Sequence, residues 1–505
     1  MIRFTRLALI SLVVTLSLNA KLIDVRSVGA TGDGKSLDTP AINKAIEHAN
    51  GNGGGTVYFP AGTYLCYSIH LKSNVALYLD QGATILAADN PIDPTVPGYD
   101  APEPNEWDPY EDFGHSHWHN SLIWGENLEN VSILGPGMID GKGLTTGENP
   151  RNKKGAERQK VEPPATNRAT TKFGYPSPID TLPAGIGNKA IALKRCRNVT
   201  FKDFTIHRGG HFAILCTGVD NWTLDNLKID TNRDGVDLDC CRNVRMSNCT
   251  INSPHDDGIC PKSSFALGEA IATENVTITN CQVSGWEVGS MLDGTYRKGN
   301  GPGTGRIKFG TESNGGFKNI TISNCLFAYC CGLALETVDG GLLEDVTITN
   351  ITMRDIANAP IFMRLGARLR GPEGTKPGQL RRVTISNVEC WNAGLPSIIS
   401  GIPDHDIEDI RISNIRVHAK GGGTREQATT KPAENEKRYP EPSMFGEMPA
   451  YGFYLRHVRG IELIDVKLSY EKTDLRPAIV LDDVKEIELA RVKAQHEAGV
   501  EEIVK

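Results

Sequence analysis

Residues 198–206 read Asn198-Val-Thr-Phe-Lys-Asp-Phe-Thr-Ile206, and this unit decides the fold because it recurs along most of the chain. Each copy alternates apolar and polar residues, is rich in β-branched side chains, and continues through Asn or Asp into a second short apolar run. Such alternation is typical of β-strands. The other copies begin Asn130-Val-Ser-Ile, Asn221-Trp-Thr-Leu, Asn243-Val-Arg-Met, Asn275-Val-Thr-Ile, Asn319-Ile-Thr-Ile, Asp345-Val-Thr-Ile, Arg382-Val-Thr-Ile, Asp409-Ile-Arg-Ile, Gly460-Ile-Glu-Leu and Glu486-Ile-Glu-Leu.

The spacing of these copies predicts a solenoid. The shortest spacings run from 22 residues, between Asn221 and Asn243, to 27 residues, between Arg382 and Asp409. One turn of a parallel β-helix has this length. A (β/α)8 barrel would need long helical segments between its strands, and the sequence has none. We therefore predict an all-β protein built as a parallel β-helix.

A short amphipathic helix is predicted near the N-terminus. Asp38 or Thr39 is a candidate N-cap, Pro40 the first helical residue and Gly51 a candidate end. Such a helix would cover the strand edges that the first turn of a solenoid otherwise exposes. Its apolar positions share one face: Ile42, Ala45, Ile46 and Ala49.

The predicted organisation is a signal peptide at 1–20 followed by a single β-helix domain at 21–505. The signal combines Arg3 and Arg6 with an apolar stretch too short to span a membrane. We therefore expect a secreted or periplasmic protein. Insertions rich in Pro, Gly and charge interrupt the domain near 90–120, 144–188, 286–304, 366–380 and 420–450. Such loops often wall a groove on one face of a solenoid, and the alternative is that they are plain surface loops.

Charge and cysteine content restrict the function further. The net charge is −7, or −9 once the two signal arginines are removed, which argues against a nucleic-acid partner. We also expect no membrane partner, no cofactor and a monomer. Twelve cysteines in an exported chain admit disulfides, and the vicinal pairs Cys240-Cys241 and Cys330-Cys331 stay undecided. Three cysteines recur at one position of the repeat, which predicts a stack of buried thiols: Cys249, Cys281 and Cys325.

Two acidic patches lie one repeat unit apart. They are Asn232-Arg-Asp-Gly-Val-Asp and His255-Asp-Asp-Gly, and 22 residues separate Asp234 from Asp256. Residues one turn apart in a solenoid lie side by side, about 4.8 Å from each other. Asp234, Asp256 and Asp257 are therefore predicted to converge. Converging carboxylates raise one another's pKa, which suits acid–base hydrolysis of a glycosidic bond.

These motifs resemble glycoside hydrolase family 28, the family that contains pectin polygalacturonases. The resemblance also rests on the N-terminal block, from Gly29-Ala-Thr-Gly-Asp-Gly through Gly53-Gly-Gly-Thr-Val-Tyr-Phe-Pro-Ala-Gly-Thr-Tyr, and covers most of residues 24–420. It implies a right-handed parallel β-helix that hydrolyses an acidic polysaccharide or oligosaccharide with inversion. Pectin containing galacturonic acid is the first expected substrate.

The resemblance also implies roles for the acidic patches. Asp256 would be the general acid, Asp234 and Asp257 would activate water, and Asn232 would orient Asp234 or the water. Adjacent aspartates point to opposite faces of an ideal strand, so both can act only where a strand end or bulge redirects one of them. The alternative is that the acids of residues 234–239 form a polar ladder or cap turns.

The chain departs from the family pattern at two places. The family's Gly-His-Gly corresponds to Gly303-Thr304-Gly305, which has no His. The family's Arg-Ile-Lys, which grips a substrate carboxylate, is present as Arg306-Ile307-Lys308, but here it precedes the repeat that begins at Asn319. The position after that repeat reads Leu333-Ala334-Leu335-Glu336. Ala334 and Glu336 are therefore predicted to replace the usual cationic grip.

Several further side chains are candidate substrate ligands. Arg306 and Lys308 share a strand face and are predicted to bind an anionic sugar group, with surface pairing to Glu312 or other acids as the alternative. Glu336 is predicted to bind sugar hydroxyls and Lys262 a substrate carboxylate. His255 is predicted to tune Asp256 or touch sugar, and the alternative is a packed or solvent-facing side chain.

The segment His115-Ser-His-Trp-His119 has three alternating histidines that could share a metal. No acidic fourth ligand is fixed by the spacing, so we expect no metal. We expect instead that this segment, with Trp107 and Trp118, walls the cleft by stacking on sugars. Trp286 is a further candidate, and the alternative is loop packing.

Other functions remain open at this point. They are hydrolysis of rhamnogalacturonan or another branched pectin, a polysaccharide lyase on the same fold, and a non-catalytic carbohydrate-binding β-helix. The asparagine and aspartate pattern fits hydrolysis better than lyase chemistry, which would need a Lys or Arg base.

Overall fold

The computed structural model describes residues 22–147 and 182–505. The predicted signal peptide and the centre of the 144–188 insertion lie outside these ranges. The described residues wind into the predicted parallel β-helix, whose successive turns pair in register. Val199, for example, lies beside Trp222, which lies beside Val244 on the next turn. These inward side chains are buried, so the core is a continuous stack of apolar residues along the helix axis.

The strands form three faces. The first face contains Ile69–His70, Ser121–Glu126, Lys189–Lys194, Phe212–Thr217, Asp234–Asp239, Ile259–Lys262, Lys308–Phe309, Leu333–Thr337, Ile361–Leu365 and Ser397–Ser400. The second face contains Leu22–Asp24, Gly55–Phe59, Val75–Leu79, Glu129–Leu134, Arg197–Lys202, Asp220–Asp225, Arg242–Ser247 and Thr273–Thr279. The third face contains Asp33–Leu37, Gly62–Cys66, Ala83–Ala87, Met138–Asp140, Thr205–His207, Lys228–Asp230, Thr250–Asn252 and Gln282–Ser284.

Later turns join these faces in longer strands. They are Phe317–Ala328, Leu342–Arg354, Gln379–Ala393, Ile407–Gly421, Phe453–Lys472 and Ile479–Ala490, followed by Lys493–Ala494 and Ile503–Val504. The described helices are Thr39–Gly51 and Arg425–Ala428, with 3-10 turns at Val25–Val28, Asp108–Tyr110 and Pro442–Phe445. No helix in the described ranges is long and apolar enough to cross a membrane.

The asparagine that opens many repeats has a conformational role. Asn198, Asn221 and Asn275 all adopt left-handed backbone conformations, with φ between 55° and 57°. Asparagine tolerates this region better than most residues with a side chain. The amides also form a ladder, because the Asn221 side chain donates to Asn198 at 2.8 Å and Asn319 donates to Asn275 at 2.8 Å. The recurring residue therefore sets the bend between faces and satisfies its own polar group.

The predicted N-terminal helix is confirmed. It spans Thr39–Gly51, with Asp38 at the N-cap position and Pro40 inside the first turn rather than at its first residue. The Asp38 carboxylate does not cap the helix; it accepts hydrogen bonds from Thr31 and Gly32 instead. The buried positions are the predicted ones: Ile42, Ala45, Ile46 and Ala49.

All twelve cysteines lie within the described ranges and are free thiols. Cys249, Cys281 and Cys325 occupy equivalent positions on successive turns, since the residues that follow them pair with each other. The hydrogen bond with Cys249, together with burial, raises the pKa of Cys281 to about 12. The predicted thiol stack is confirmed.

Reducing agent is therefore expected to leave the melting temperature unchanged. Losing a structural disulfide would cost about 2–4 kcal/mol, but here no disulfide exists to lose. Thermal unfolding with and without a phosphine reductant tests this, beside thiol titration in denaturant, which should count twelve thiols. A lower count in denaturant would contradict the free-thiol state.

Candidate active site

The three predicted aspartates lie where turns enter the first face. Asp234 is the first residue of its strand, while Asp256 and Asp257 precede the strand that begins at Ile259. The two strands are neighbours, and the Gly235 N–H donates to the Asp257 carbonyl at 3.0 Å. Neither Asp256 nor Asp257 is inside a regular strand, so strict alternation does not force them to opposite faces.

The three carboxylates differ in their access to solvent. The Asp256 side chain is 25% exposed, whereas those of Asp234 and Asp257 are 6% and 4% exposed. Asp256 forms an ion pair with Arg233, and one of its oxygens accepts the Asp257 N–H at 3.1 Å. Asp256 is thus the carboxylate of the three that an incoming molecule meets first.

Asp257 is held as an anion by two buried cations. Arg306 Nε lies 2.6 Å from one carboxylate oxygen and Lys308 Nζ lies 3.2 Å from the other. Burial alone would favour the neutral acid, but Arg306 and Lys308 hold the pKa of Asp257 well below its usual range.

Asp234 is in the opposite electrostatic state. Burial, and then repulsion from Asp256 and Asp237, raises its pKa well above the usual range. Beside it lies His115, whose Nε2 is 3.9 Å from Asp234 and 3.4 Å from Asp237. Burial disfavours the charged imidazole, but Glu312 and Asp237 raise the pKa of His115. The site therefore pairs one anionic carboxylate with one that favours its proton.

The histidine segment does not form one metal site. His115 faces the aspartates, His117 Nε2 lies 3.2 Å from Asp108, and His119 Nε2 lies 3.0 Å from Glu126. Single ligand atoms of His115, Asp234 and Asp237 do lie within 4.8 Å of one another, which is close enough to share a cation. These are the site residues that could hold a metal.

Trp118 does not have its predicted role. It is fully buried, and its indole N–H donates to Thr217 at 3.1 Å, so it cannot stack on a sugar. Trp107 packs edge-on against Phe265, and Trp286 stacks on Tyr329 at 4.7 Å between ring centres. Of these tryptophans, Trp286 and Trp107 retain partial exposure.

The register of the Arg306 segment is the one that the sequence predicts. The Gly258 N–H donates to the Arg306 carbonyl at 2.8 Å, so Arg306 stands one turn after the acid pair. Lys308 then lies beside Ala334 on the following turn. Glu336 is fully buried there, and neither of its oxygens has a hydrogen-bond partner within the described residues. Burial raises the pKa of Glu336 to about 8.

Arg306 and Lys308 are not surface cations. Each is 2% exposed, because the 420–450 insertion covers them. Glu441 pairs with Arg306, with 3.1 Å between its Oε2 and Nη1, and the Tyr439 hydroxyl accepts from Lys308 at 3.1 Å. The alternative of pairing with Glu312 or other acids at the surface is therefore right about other acids, Asp257 and Glu441, but wrong about Glu312 and about the surface.

Glu312 belongs to a second buried network. Lys262 Nζ lies 3.3 Å from Glu312, so Lys262 points at a protein carboxylate. The Asp112 N–H, from the 90–120 insertion, donates to Glu312 at 3.1 Å. Arg370, from the 366–380 insertion, pairs with Asp112 at 2.7 Å. Three insertions thus meet over the first face and cover its centre.

The last two predicted site residues, His255 and Asn232, lie at the more exposed edge of the site, which we call the mouth. His255 is exposed and Asn232 is partly buried. Asn232 lines a cavity of about 330 Å³. The other lining residues are Gly141, Lys142, Leu144, Thr146, Arg208, Gly210 and Val288.

Sequence comparison agrees with this architecture. A family described as rhamnogalacturonase A/epimerase, pectate lyase-like, matches residues 22–93, and one described as a right-handed β-helix region matches residues 183–300. A probable polygalacturonase of Vitis vinifera is 22% identical over 86% of this chain and 81% of its own length. An exo-poly-alpha-D-galacturonosidase of Dickeya chrysanthemi is 23% identical over 68% of this chain and 57% of its own length.

Structural comparison gives the same fold. The family 28 exopolygalacturonase of Yersinia enterocolitica aligns with a TM-score of 0.62 at 20% identity, over 95% of this chain and 78% of that one. The protein is thus a right-handed parallel β-helix. Its sequence is similar to that of polygalacturonases, and its fold is similar to that of a family 28 exopolygalacturonase.

Proposed function

We propose that the protein hydrolyses glycosidic bonds of an acidic polysaccharide, first of all pectin that contains galacturonic acid, with inversion. The observation that carries this proposal is the set of three carboxylates on two adjacent turns: Asp257 is held as an anion, Asp234 favours its proton, and Asp256 is the exposed member of the set. Enzymes that hydrolyse glycosides need one carboxyl group to give a proton and another to accept one. The pectinase relatives support the substrate class.

In this mechanism, Asp256 is the general acid. Its exposed carboxyl group donates a proton to the glycosidic oxygen as the bond to the anomeric carbon breaks. A water molecule forms the new bond to that carbon from the opposite side and loses its proton to Asp257. Asp257 is the anionic acceptor, Asp234 helps to position the water, and Asn232 orients both from the mouth.

The covered first face favours a pocket that accepts chain ends over an open groove. Loops 90–120, 366–380 and 420–450 close the surface around Lys262 and Lys308, so a long polymer would not lie across it. We therefore propose exo action or action on short oligosaccharides.

The protein is also proposed to be exported. The apolar stretch at 1–20 supports export, and these residues lie outside the described ranges.

A second candidate substrate is rhamnogalacturonan. It is favoured by the match of residues 22–93 to a rhamnogalacturonase-type family and by the buried, already paired state of Arg306 and Lys308. A branched substrate would place a neutral sugar where a polygalacturonate chain has a uronate.

Product analysis decides between these functions. The enzyme is incubated with polygalacturonate, galacturonate oligosaccharides and rhamnogalacturonan, and reducing ends and ultraviolet absorbance are followed. Saturated monosaccharide released from galacturonate ends is the expected result. Release from rhamnogalacturonan alone selects the second candidate, and unsaturated, absorbing products would overturn hydrolysis in favour of a lyase.

A further inference from the structure

Arg233 occupies the mouth of the candidate site, between two residues of the acidic patch. Its side chain is 36% exposed and forms an ion pair with Asp256. Its charge also acts on the buried side chain of His211: burial first, and then the Arg233 cation, lower the pKa of that histidine. Arg233 therefore contacts the proposed acid and remains accessible from solvent.

Other cations around the carboxylates are poorly placed to receive an anionic sugar. Arg306 is 2% exposed and already holds both Asp257 and Glu441. Lys262 is 4% exposed and is paired with Glu312. In the described ranges, Arg233 combines direct contact with the proposed acid and an accessible guanidinium. Such a group can bind a carboxylate through two parallel hydrogen bonds.

We propose that Arg233 binds the carboxylate of the acidic sugar and exchanges its ion pair with Asp256 for one with the substrate when it does so. The proposal rests on the proposed hydrolase function and names the group that selects its substrate. The exchange frees the Asp256 side chain from Arg233. Only a substrate with a free carboxylate completes this exchange, so Arg233 selects the acidic sugar.

The test compares Arg233→Gln with the wild type on a galacturonate oligosaccharide and on its methyl ester. The wild type should prefer the free acid, and the variant should lose about 10- to 100-fold of that preference in kcat/KM, the range expected for charge-assisted hydrogen bonds. Arg233→Lys should retain part of the preference. Arg242→Gln is the matched control, because Arg242 is 50% exposed and pairs with Asp220 on the second face.

The ratio of kcat/KM on the free acid to kcat/KM on the ester is a readout that a purely structural role would not move, because a structural defect lowers both values alike.

The outcomes separate this proposal from the function on which it rests. Equal losses of kcat/KM on acid and ester would overturn the role of Arg233. A wild-type enzyme that releases nothing from any uronate substrate would overturn the function itself. If Arg233→Gln does not fold, judged by circular dichroism, the acid-to-ester ratio of Arg233→Lys decides, and an unchanged ratio overturns the proposal.

Discussion

Asp256→Asn is expected to lower kcat by about 10²- to 10⁴-fold, the usual contribution of a general acid, without changing thermal stability. The side chain is one-quarter exposed, and its amide replacement still accepts the Asp257 N–H, so folding loses little. Steady-state kinetics on a galacturonate oligosaccharide and thermal melting measure the two effects. The loss should shrink on a nitrophenyl galacturonide, whose leaving group needs no proton.

The control for this variant is Asp220→Asn. Asp220 is 38% exposed and pairs with Arg242 much as Asp256 pairs with Arg233, but it lies on the second face. Its activity should stay within about twofold of the wild type, since isolated exposed pairs contribute little. An Asp256→Asn enzyme that kept half of its activity, or lost as much on the nitrophenyl substrate, would rule out Asp256 as the acid.

The sequence predicts the fold because local and repeated signals carry it. A period of one turn, an Asn at many of the left-handed bends and an inward apolar residue after it are all visible without long-range information. The same period places Asp234 opposite the turn of Asp256 and Asp257, and Arg306 one turn later. Features that depend only on the length of one solenoid turn can thus be predicted from the sequence.

The state of those residues depends on loops that have no period. Glu441 meets Arg306 from 135 residues away, and Arg370 meets Asp112 from 258 residues away. Nothing in the repeat predicts which loop folds over which strand. The sequence therefore predicts that Arg306 and Lys308 share a face, but not that this face is covered. For the same reason, the alternating histidines do not show that His115 alone reaches the aspartates.

The burial of Arg306 and Lys308 changes how their segment is interpreted. Two cations gripping a substrate would lie at the surface of the cleft, whereas these two contact Asp257 directly. Their effect is to keep one carboxylate ionised at depth while Asp234, close by, favours its proton. The segment thereby fixes the charge of the proposed base, and recognition of the substrate is left to the mouth.

Asp257→Asn is expected to destabilise the fold by about 3–5 kcal/mol and to abolish measurable hydrolysis. Removing one partner of a buried ion pair leaves its cations uncompensated, and here both Arg306 and Lys308 lose their inner anion. Glu441 remains beside Arg306 and keeps the loss from being larger. Denaturant unfolding at pH 7 followed by circular dichroism measures the change.

The sign of the pH dependence follows from the lowered pKa of Asp257. Its stabilising contribution is present above the pKa of an unfolded aspartate, about 3.9, and is lost as the pH falls toward the folded value. The difference between wild type and Asp257→Asn should therefore be full at pH 7 and shrink below about pH 4.

Asp234→Asn is the matched variant for this last prediction. Asp234 is equally buried but favours its neutral form, and an amide resembles a protonated carboxyl group. Its stability at pH 7 should therefore equal or exceed that of the wild type. The double variant Asp257→Asn with Arg306→Gln should recover part of the loss, because one uncompensated cation is removed. Equal stabilities for Asp257→Asn and Asp234→Asn would show that Arg306 and Lys308 do not hold Asp257 as an anion.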